Sequence, residues 1–464
     1  MAKVVAVLVL LLCAPATAFA QSGDCTGPAP GTTPEVEPPA AGLRFGMYPG
    51  GVAGQLGAAP AAQKPDDPAK VMAALADLRP PDGPFVVHLY RSYLSDESDA
   101  EEEQVARRLV DRYTSAGYLV EFVVRYRRDD DVDGYVRFLR GIVDRFGSNP
   151  RVVGLQVANE VNFEVSPDSS DGAYSGAPDA LVQGVIAAKD QASARGYRQL
   201  EIGFNWVYRL DPSTEQRFWA HLRDAGGAGF AGAVDWVGLD AYPGTFFPPV
   251  ATADEQRTAM VNALDELRCY LEIPGVPERV PIHVAENGYA TGPGRSYEMQ
   301  TAALEAMVGA VAEHRGTYNV SDYRWFDLRD ADSSSPNFQQ QYGLMRDDYT
   351  PKHAYASWRR LIRELSVTGG TPEPAPGAGA LRLHMRVRCY GRGVRARLVG
   401  AGVRSVTRVV WRARGTRVVD LRRPWRRSVR LRPRDRRRRL AVTALATLRE
   451  GGRLTLTGRS PRCG

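Results

Sequence analysis

Two carboxylates in similar settings carry most of the chemistry in this sequence. Glu160 lies in the run VVGLQVANEVN (152–162), and Glu286 lies 126 positions later in PIHVAENGYAT (281–291). Each follows a nearly continuous apolar stretch, the mark of a strand buried on both faces, so each acid is expected at a strand's C-terminal end. Two opposed carboxyl groups suit cleavage of a glycosidic bond, since one can protonate the leaving oxygen while the other attacks the sugar carbon. A separation of ~5–5.5 Å forces direct attack and retention of configuration, whereas ~6.5–9.5 Å admits a water and inverts it. Neighbouring like charges also resist joint ionisation, which keeps one member protonated near neutral pH. Glu164, four residues past Glu160, is the local competitor for the first role.

Strands must place both acids, and the rest of the sequence supplies them. Six more β-rich runs occur, at LRFGMYPGG (43–51), FVVHLYRSYL (85–94), YLVEFVVRY (118–126), QLEIGFNW (199–206), VDWVGLDAYPG (234–244) and YNVSDYRWFDLRD (318–330). Helical patterns fill the gaps. Asp66-Asp67-Pro68 is a cap with proline in the first turn, and 99–116 has acids early and arginines late, as the helix dipole favours. Further helices are expected near 132–146, 178–195, 212–224, 254–273, 296–314 and 351–365. Eight strands alternating with eight helices predict an α/β fold, a parallel (β/α)₈ TIM barrel over residues 43–365. A doubly wound open sheet is the alternative, and it seldom needs eight units. In a barrel, chemistry sits where strands end. The fourth and seventh strands are not adjacent, so Glu160 and Glu286 are expected to face each other across the mouth. Asn205, Trp206 and Tyr289, also at strand ends, are expected to line the binding site.

These residues together resemble the clan A glycoside hydrolases, retaining enzymes built on a (β/α)₈ barrel. The resemblance covers about 320 residues. It implies that Glu160 is the acid/base, that Asn159 binds the sugar 2-hydroxyl and that Glu286 is the nucleophile. It further implies that Tyr242, in GLDAYPG, hydrogen-bonds that nucleophile and that Trp325, in RWFDLRD, forms the floor of the sugar site. Arg91, on the second strand, would steady the nucleophile. The segment AENGYA is similar to the ENG motif of the β-glucosidase family, and YGLMRDDYTPKHAYASWRRL is similar to the clan's usual ending. Two positions depart from its families: Val161 stands where the β-glucosidases have proline, and Asp240 where the cellulases usually have histidine. The resemblance implies a retaining β-glycosidase acting on a poly- or oligosaccharide. The alternative is a non-catalytic glycan- or wall-binding protein on a degenerate barrel.

Other chemistries find no support in the sequence. The glycines of Gly227–Gly232 have dinucleotide-fingerprint spacing but precede a strand instead of following one. With six histidines and no HExxH, a zinc site is not expected, and no cofactor is expected either. There is no G-x-S-x-G elbow. His283 alternates away from Glu286 on its strand and is expected to be structural.

Charge divides the chain. Residues 381–464 hold 26 arginines, no lysine and three acids, a net +23 within a total of +7, leaving −16 for the remainder. Such asymmetry marks two modules. The Pro/Gly-rich stretch 366–380 is expected as their linker. The basic module shows seven short alternating runs with glycine turns, which predict a small immunoglobulin-like sandwich. Its arginines suit an anionic cell-wall polymer. Nucleic acid is not expected as a partner, because aromatic residues are few beyond Trp411 and Trp425. At the other end, Lys3, the apolar run Val4–Leu12 and Ala18-Phe19-Ala20 predict a signal peptide over 1–20 and secretion, followed by a Pro/Gly-rich segment over 21–42. That apolar run is too short to span a bilayer. Beyond Cys13 there remain Cys25, Cys269, Cys389 and Cys463, which allow three pairings. Cys389–Cys463 with Cys25–Cys269 is the expected one.

Overall fold

The computed structural model describes residues 42–51, 64–94, 96–209 and 212–366, and in the C-terminal part 384–390, 393–399, 406–413, 416–420, 426–430, 440–448 and 453–460. The expected signal peptide, the 21–42 segment up to residue 41 and nearly all of the linker lie outside these residues. The chain forms two compact units, Met1–Thr371 and Pro372–Gly464.

The first unit is a closed barrel of eight parallel strands in sequence order. They are β1 (Arg44–Met47), β2 (Val86–Tyr93), β3 (Leu119–Tyr126), β4 (Val152–Val157), β5 (Glu201–Val207), β6 (Trp236–Ala241), β7 (Ile282–Asn287) and β8 (Val320–Trp325). The pairing of Arg44 with Asp322 through Met47 with Trp325 closes the ring, which excludes the open doubly wound sheet. The helices are α1 (Pro68–Leu78), α2 (Asp96–Ser115), α3 (Val132–Phe146), α4 (Ala177–Arg195), α5 (Pro212–His221), α6 (Gly227–Ala233), α7 (Ala253–Leu271), α8 (Tyr297–Tyr318) and α9 (His353–Leu365). The single helix expected over 212–224 is instead α5, one π-helical turn and α6. The glycine-spaced segment 227–232 belongs to α6, not to a phosphate loop.

Local chemistry explains where these helices begin. The Asp67 carboxylate accepts from the amides of Ala69 and Lys70, with Pro68 in the first turn where no N–H is needed. Thr252 and Glu255 form a reciprocal capping box at the start of α7. The α4 helix ends on Gly196 at φ 76°, a left-handed conformation that glycine adopts without a Cβ penalty.

The core lies between the outward faces of the strands and the helices, as at Phe45, Tyr323 and Trp358. Deep inside the barrel, the filling is ionic. Arg324 on β8 reaches Glu121 on β3 at 3.2 Å and Asp322 at 2.7 Å, His88 on β2 meets Glu121 at 2.9 Å, and Arg44 meets Asp322 at 2.6 Å. Because β3 and β8 are not neighbours, these contacts must cross the interior. Burial alone would raise the Glu121 carboxyl, but Arg324, His283 and His88 hold it well below the usual range. His283 also stacks on Trp236 with centroids 4.5 Å apart. Replacing one partner strands the others, so Arg324→Leu is expected to cost about 3–5 kcal/mol of stability in urea unfolding.

The second unit is all-β. Its strands are β9 (His384–Tyr390), β10 (Gly393–Val399), β11 (Val406–Ala413), β12 (Thr416–Asp420), β13 (Arg426–Arg430), β14 (Ala441–Leu448) and β15 (Arg453–Arg459). They form two antiparallel sheets, ordered β13-β10-β9 and β12-β11-β14-β15. Ala396 and Leu398 from one sheet share a core with Trp411, Val442 and Ala444 from the other. The pairing expected for Cys269 and Cys389 falls on Cys25 and Cys463, which lie outside the described residues.

Candidate active site

Glu160 stands just past β4 in an unusual backbone. Ala158 and Glu160 both have positive φ, 59° and 49°, which costs of order 1–3 kcal/mol each and persists only where the surroundings impose it. Here three successive amides are anchored. Ala158 N donates to the Tyr135 hydroxyl at 2.9 Å, Asn159 N to Asp171 Oδ2 at 2.8 Å and Glu160 N to Asn205 Oδ1 at 2.8 Å. Asp171 is the hub of this turn, since it also accepts from Arg125 Nε at 2.9 Å and from the Tyr126 amide at 2.7 Å. The turn points the Glu160 side chain into the barrel mouth, where Ser170 donates to it. Glu164, the competitor, is exposed to solvent.

Glu286 is the penultimate residue of β7 and is held from two sides. The Tyr242 hydroxyl, one residue past β6, donates to its Oε2 at 2.6 Å, and the Tyr90 hydroxyl on β2 donates to its Oε1. Since β2 and β7 are not adjacent, Tyr90 reaches Glu286 across the interior. A third acid completes the group: Asp240 on β6, with no exposed surface, accepts from Asn205 Nδ2. One carboxylate oxygen from each of Glu160, Asp240 and Glu286 lies within 4.8 Å of the other two.

Such crowding has electrostatic consequences. Burial, and then the charge of Glu286, push the Glu160 carboxyl up to about 8, against the smaller opposing effects of Ser170 and Arg125. Asp240 is raised well above the usual range by burial and by both glutamates. The site therefore keeps a proton on Glu160 near neutrality and favours the neutral form of Asp240. The three acids are also the one set of side chains, among the described residues, close enough to share a cation. Tyr90, Tyr242, Asn205 and Ser170 aim donors at the same oxygens, so hydrogen bonds already serve the charge a cation would neutralise.

Asn159 and Asn205 form the bed beneath Glu160. The Asn159 amide donates to Ser169 O at 2.9 Å, and its oxygen accepts from Gln156 at 3.1 Å and Asn205 at 3.0 Å. Three expected strand residues lie elsewhere, and so does Tyr289 beyond β7. Arg91 points outward, donates to Glu102 and stacks over Phe138 at 4.9 Å, so it does not steady Glu286. Trp206 packs among Tyr208, Trp219 and Tyr270 and donates to Glu215. Trp325 is fully buried, 6.0 Å from Trp358 on α9, and is no sugar floor. The reason is the same each time: successive strand residues face opposite ways, and Tyr90, Asn205 and Arg324 take the inward positions. Tyr289 is packed in the core with Arg295 over its ring.

The aromatic surface beside the acids comes instead from Phe326, stacked on Tyr48 at 5.2 Å and edge-on to Tyr242 and Tyr342. Phe326 follows Trp325 and so has the parity of Arg324. Tyr90 and Phe326 could have been read from the same alternation, once any inward residue of β2 or β8 had been fixed.

No protein-family model matches the chain, and no curated protein matches it. Solved structures do match. The β-glucuronidase of Bacteroides uniformis is 13% identical at a TM-score of 0.44, over 91% of this chain and 46% of that one. The β-D-glucuronidase of Dictyoglomus thermophilum is 14% identical at 0.45, over 72% and 52%. The Bifidobacterium dentium β-glucuronidase, solved with coumarin-3-O-glucuronide, is 15% identical at 0.44, over 70% and 47%. The chain spans about half the length of the structures it matches.

Proposed function

We propose that this chain is a secreted β-glycoside hydrolase acting with retention of configuration. The observation that carries the reading is the approach of Glu160 and Glu286 within 4.8 Å, one raised by burial and the other held by two tyrosine hydroxyls. In the first step Glu286 attacks the anomeric carbon and forms a glycosyl-enzyme while Glu160 gives its proton to the leaving oxygen. In the second, Glu160 takes a proton from water, which displaces Glu286. Spacing this close leaves no room for an intervening water, which favours retention. The substrate is a poly- or oligosaccharide, and export follows from the leader over 1–20.

Stereochemistry tests the mechanism. Proton NMR of a β-glycoside digest should reveal the β-anomer first, and an α-anomer appearing first would overturn it. Mass spectrometry of the exported protein should find Gln21 at the N-terminus.

The acid also fixes the pH response. Activity is expected to fall as pH rises through about 8, where Glu160 loses its proton. The Ser170 hydrogen bond favours the charged form, so Ser170→Ala should move that alkaline limb upward. A limb left in place, in kcat/KM profiles of the variant, would mean that another group sets it.

A further inference from the structure

We propose that the outward face of the sheet β13-β10-β9 is a docking surface for a linear polyuronate, a polysaccharide with a carboxylate on each sugar ring. Central strand β10 is paired on both sides. On one side Arg395 faces Arg388 and Arg397 faces Arg386; on the other, Arg397 faces Arg426 and Arg395 faces Ser428. The alternate residues Val394, Ala396 and Leu398 are buried, so alternation sends these arginines to the opposite face. Arg386, Arg388, Arg397 and Arg426 are exposed, and Arg395 is half-buried with its Nε donating to Ser428 Oγ at 3.2 Å. No position paired along these three strands is acidic.

Like charges directly opposed on antiparallel strands destabilise the sheet. Five guanidiniums on three strands therefore raise the energy of the free face, and a polyanion lowers it. Arginine binds carboxylates bidentately, in a fixed plane, which lysine cannot do. The charges repeat at ~4.8 Å between strands and at ~6.8 Å along them, a regular array suited to an extended chain whose charge recurs with each ring. The choice of a sugar polymer over another polyanion rests on the glycosidase reading; the arginine array does not.

The test uses the full chain with soluble polygalacturonate as probe, by affinity electrophoresis. Binding is expected, weakening as salt rises. Arg395→Gln with Arg397→Gln should weaken it at least ~10-fold, whereas Arg412→Gln, at an exposed position of β11, should not change it. Arg395→Lys with Arg397→Lys should bind less tightly than the unchanged chain, and far-UV circular dichroism of each variant checks that the module stays folded. The proposal is overturned by absent binding, by equal binding of the double glutamine variant, or by single-stranded DNA binding as tightly with the same loss. Hydrolysis of a small aryl glycoside is read alongside. If it is absent while the polymer still binds through these arginines, the glycosidase reading fails and the docking surface stands.

Discussion

Glu286→Gln is expected to lower kcat by ~10⁴-fold or more on every substrate, since removal of a nucleophile abolishes the covalent route altogether. Fold should survive, because the amide oxygen can still accept from one of the two tyrosine hydroxyls while the amide nitrogen donates to the oxygen of the other. Stability should rise slightly, as a neutral amide replaces a buried carboxylate. With Glu286→Ala, added azide should enter the emptied space and yield an α-glycosyl azide from a β-glycoside. An alanine variant with undiminished turnover would remove Glu286 from the reaction.

Glu160→Ala is expected to cost ~10²–10⁴-fold in kcat/KM for substrates with poor leaving groups. Aryl glycosides with acidic phenols depart without protonation, so their first step should be nearly unaffected and the glycosyl-enzyme should accumulate. Azide, which needs no general base, should then restore turnover and give the β-glycosyl azide. The opposite anomeric outcomes of the two alanine variants assign the two roles without reference to any structure. The alkaline limb near pH 8 should disappear from the Glu160→Ala profile as well.

Much of this architecture was legible because strand and helix periods differ. The eight apolar runs and the barrel follow from those periods, strand ends bring Glu160, Glu286 and Asn205 together, and the resemblance to the clan A hydrolases adds Tyr242 and Asn159. What misled at Arg91, Trp206 and Trp325 was the sense of the alternation. A parallel barrel wrapped in helices places its large apolar residues outward and here fills its interior with polar ones, so Asp322 and Arg324 face in while Tyr323 and Trp325 face out. Tyr90 and Phe326, each next to an expected residue, take the places assigned to Arg91 and Trp325. Ser170, Asp171 and Arg125 were beyond reach for another reason. They shape the Glu160 turn through a loop excursion and a neighbouring strand, and nothing in sequence spacing encodes that closure.

The barrel holds two storeys of acid with opposite appetites for protons. Below, Glu121 and Asp322 are depressed by their cationic neighbours, and their support is full above the ordinary 4.5 and 3.8 and wanes as acidity climbs through their folded values. Above, Glu160 is elevated, so its share is whole beneath 4.5 and drains away toward about 8. The molecule should thus be most heat-resistant at about pH 4.5, where the lower storey already gives its full support and the upper one has not begun to lose its share.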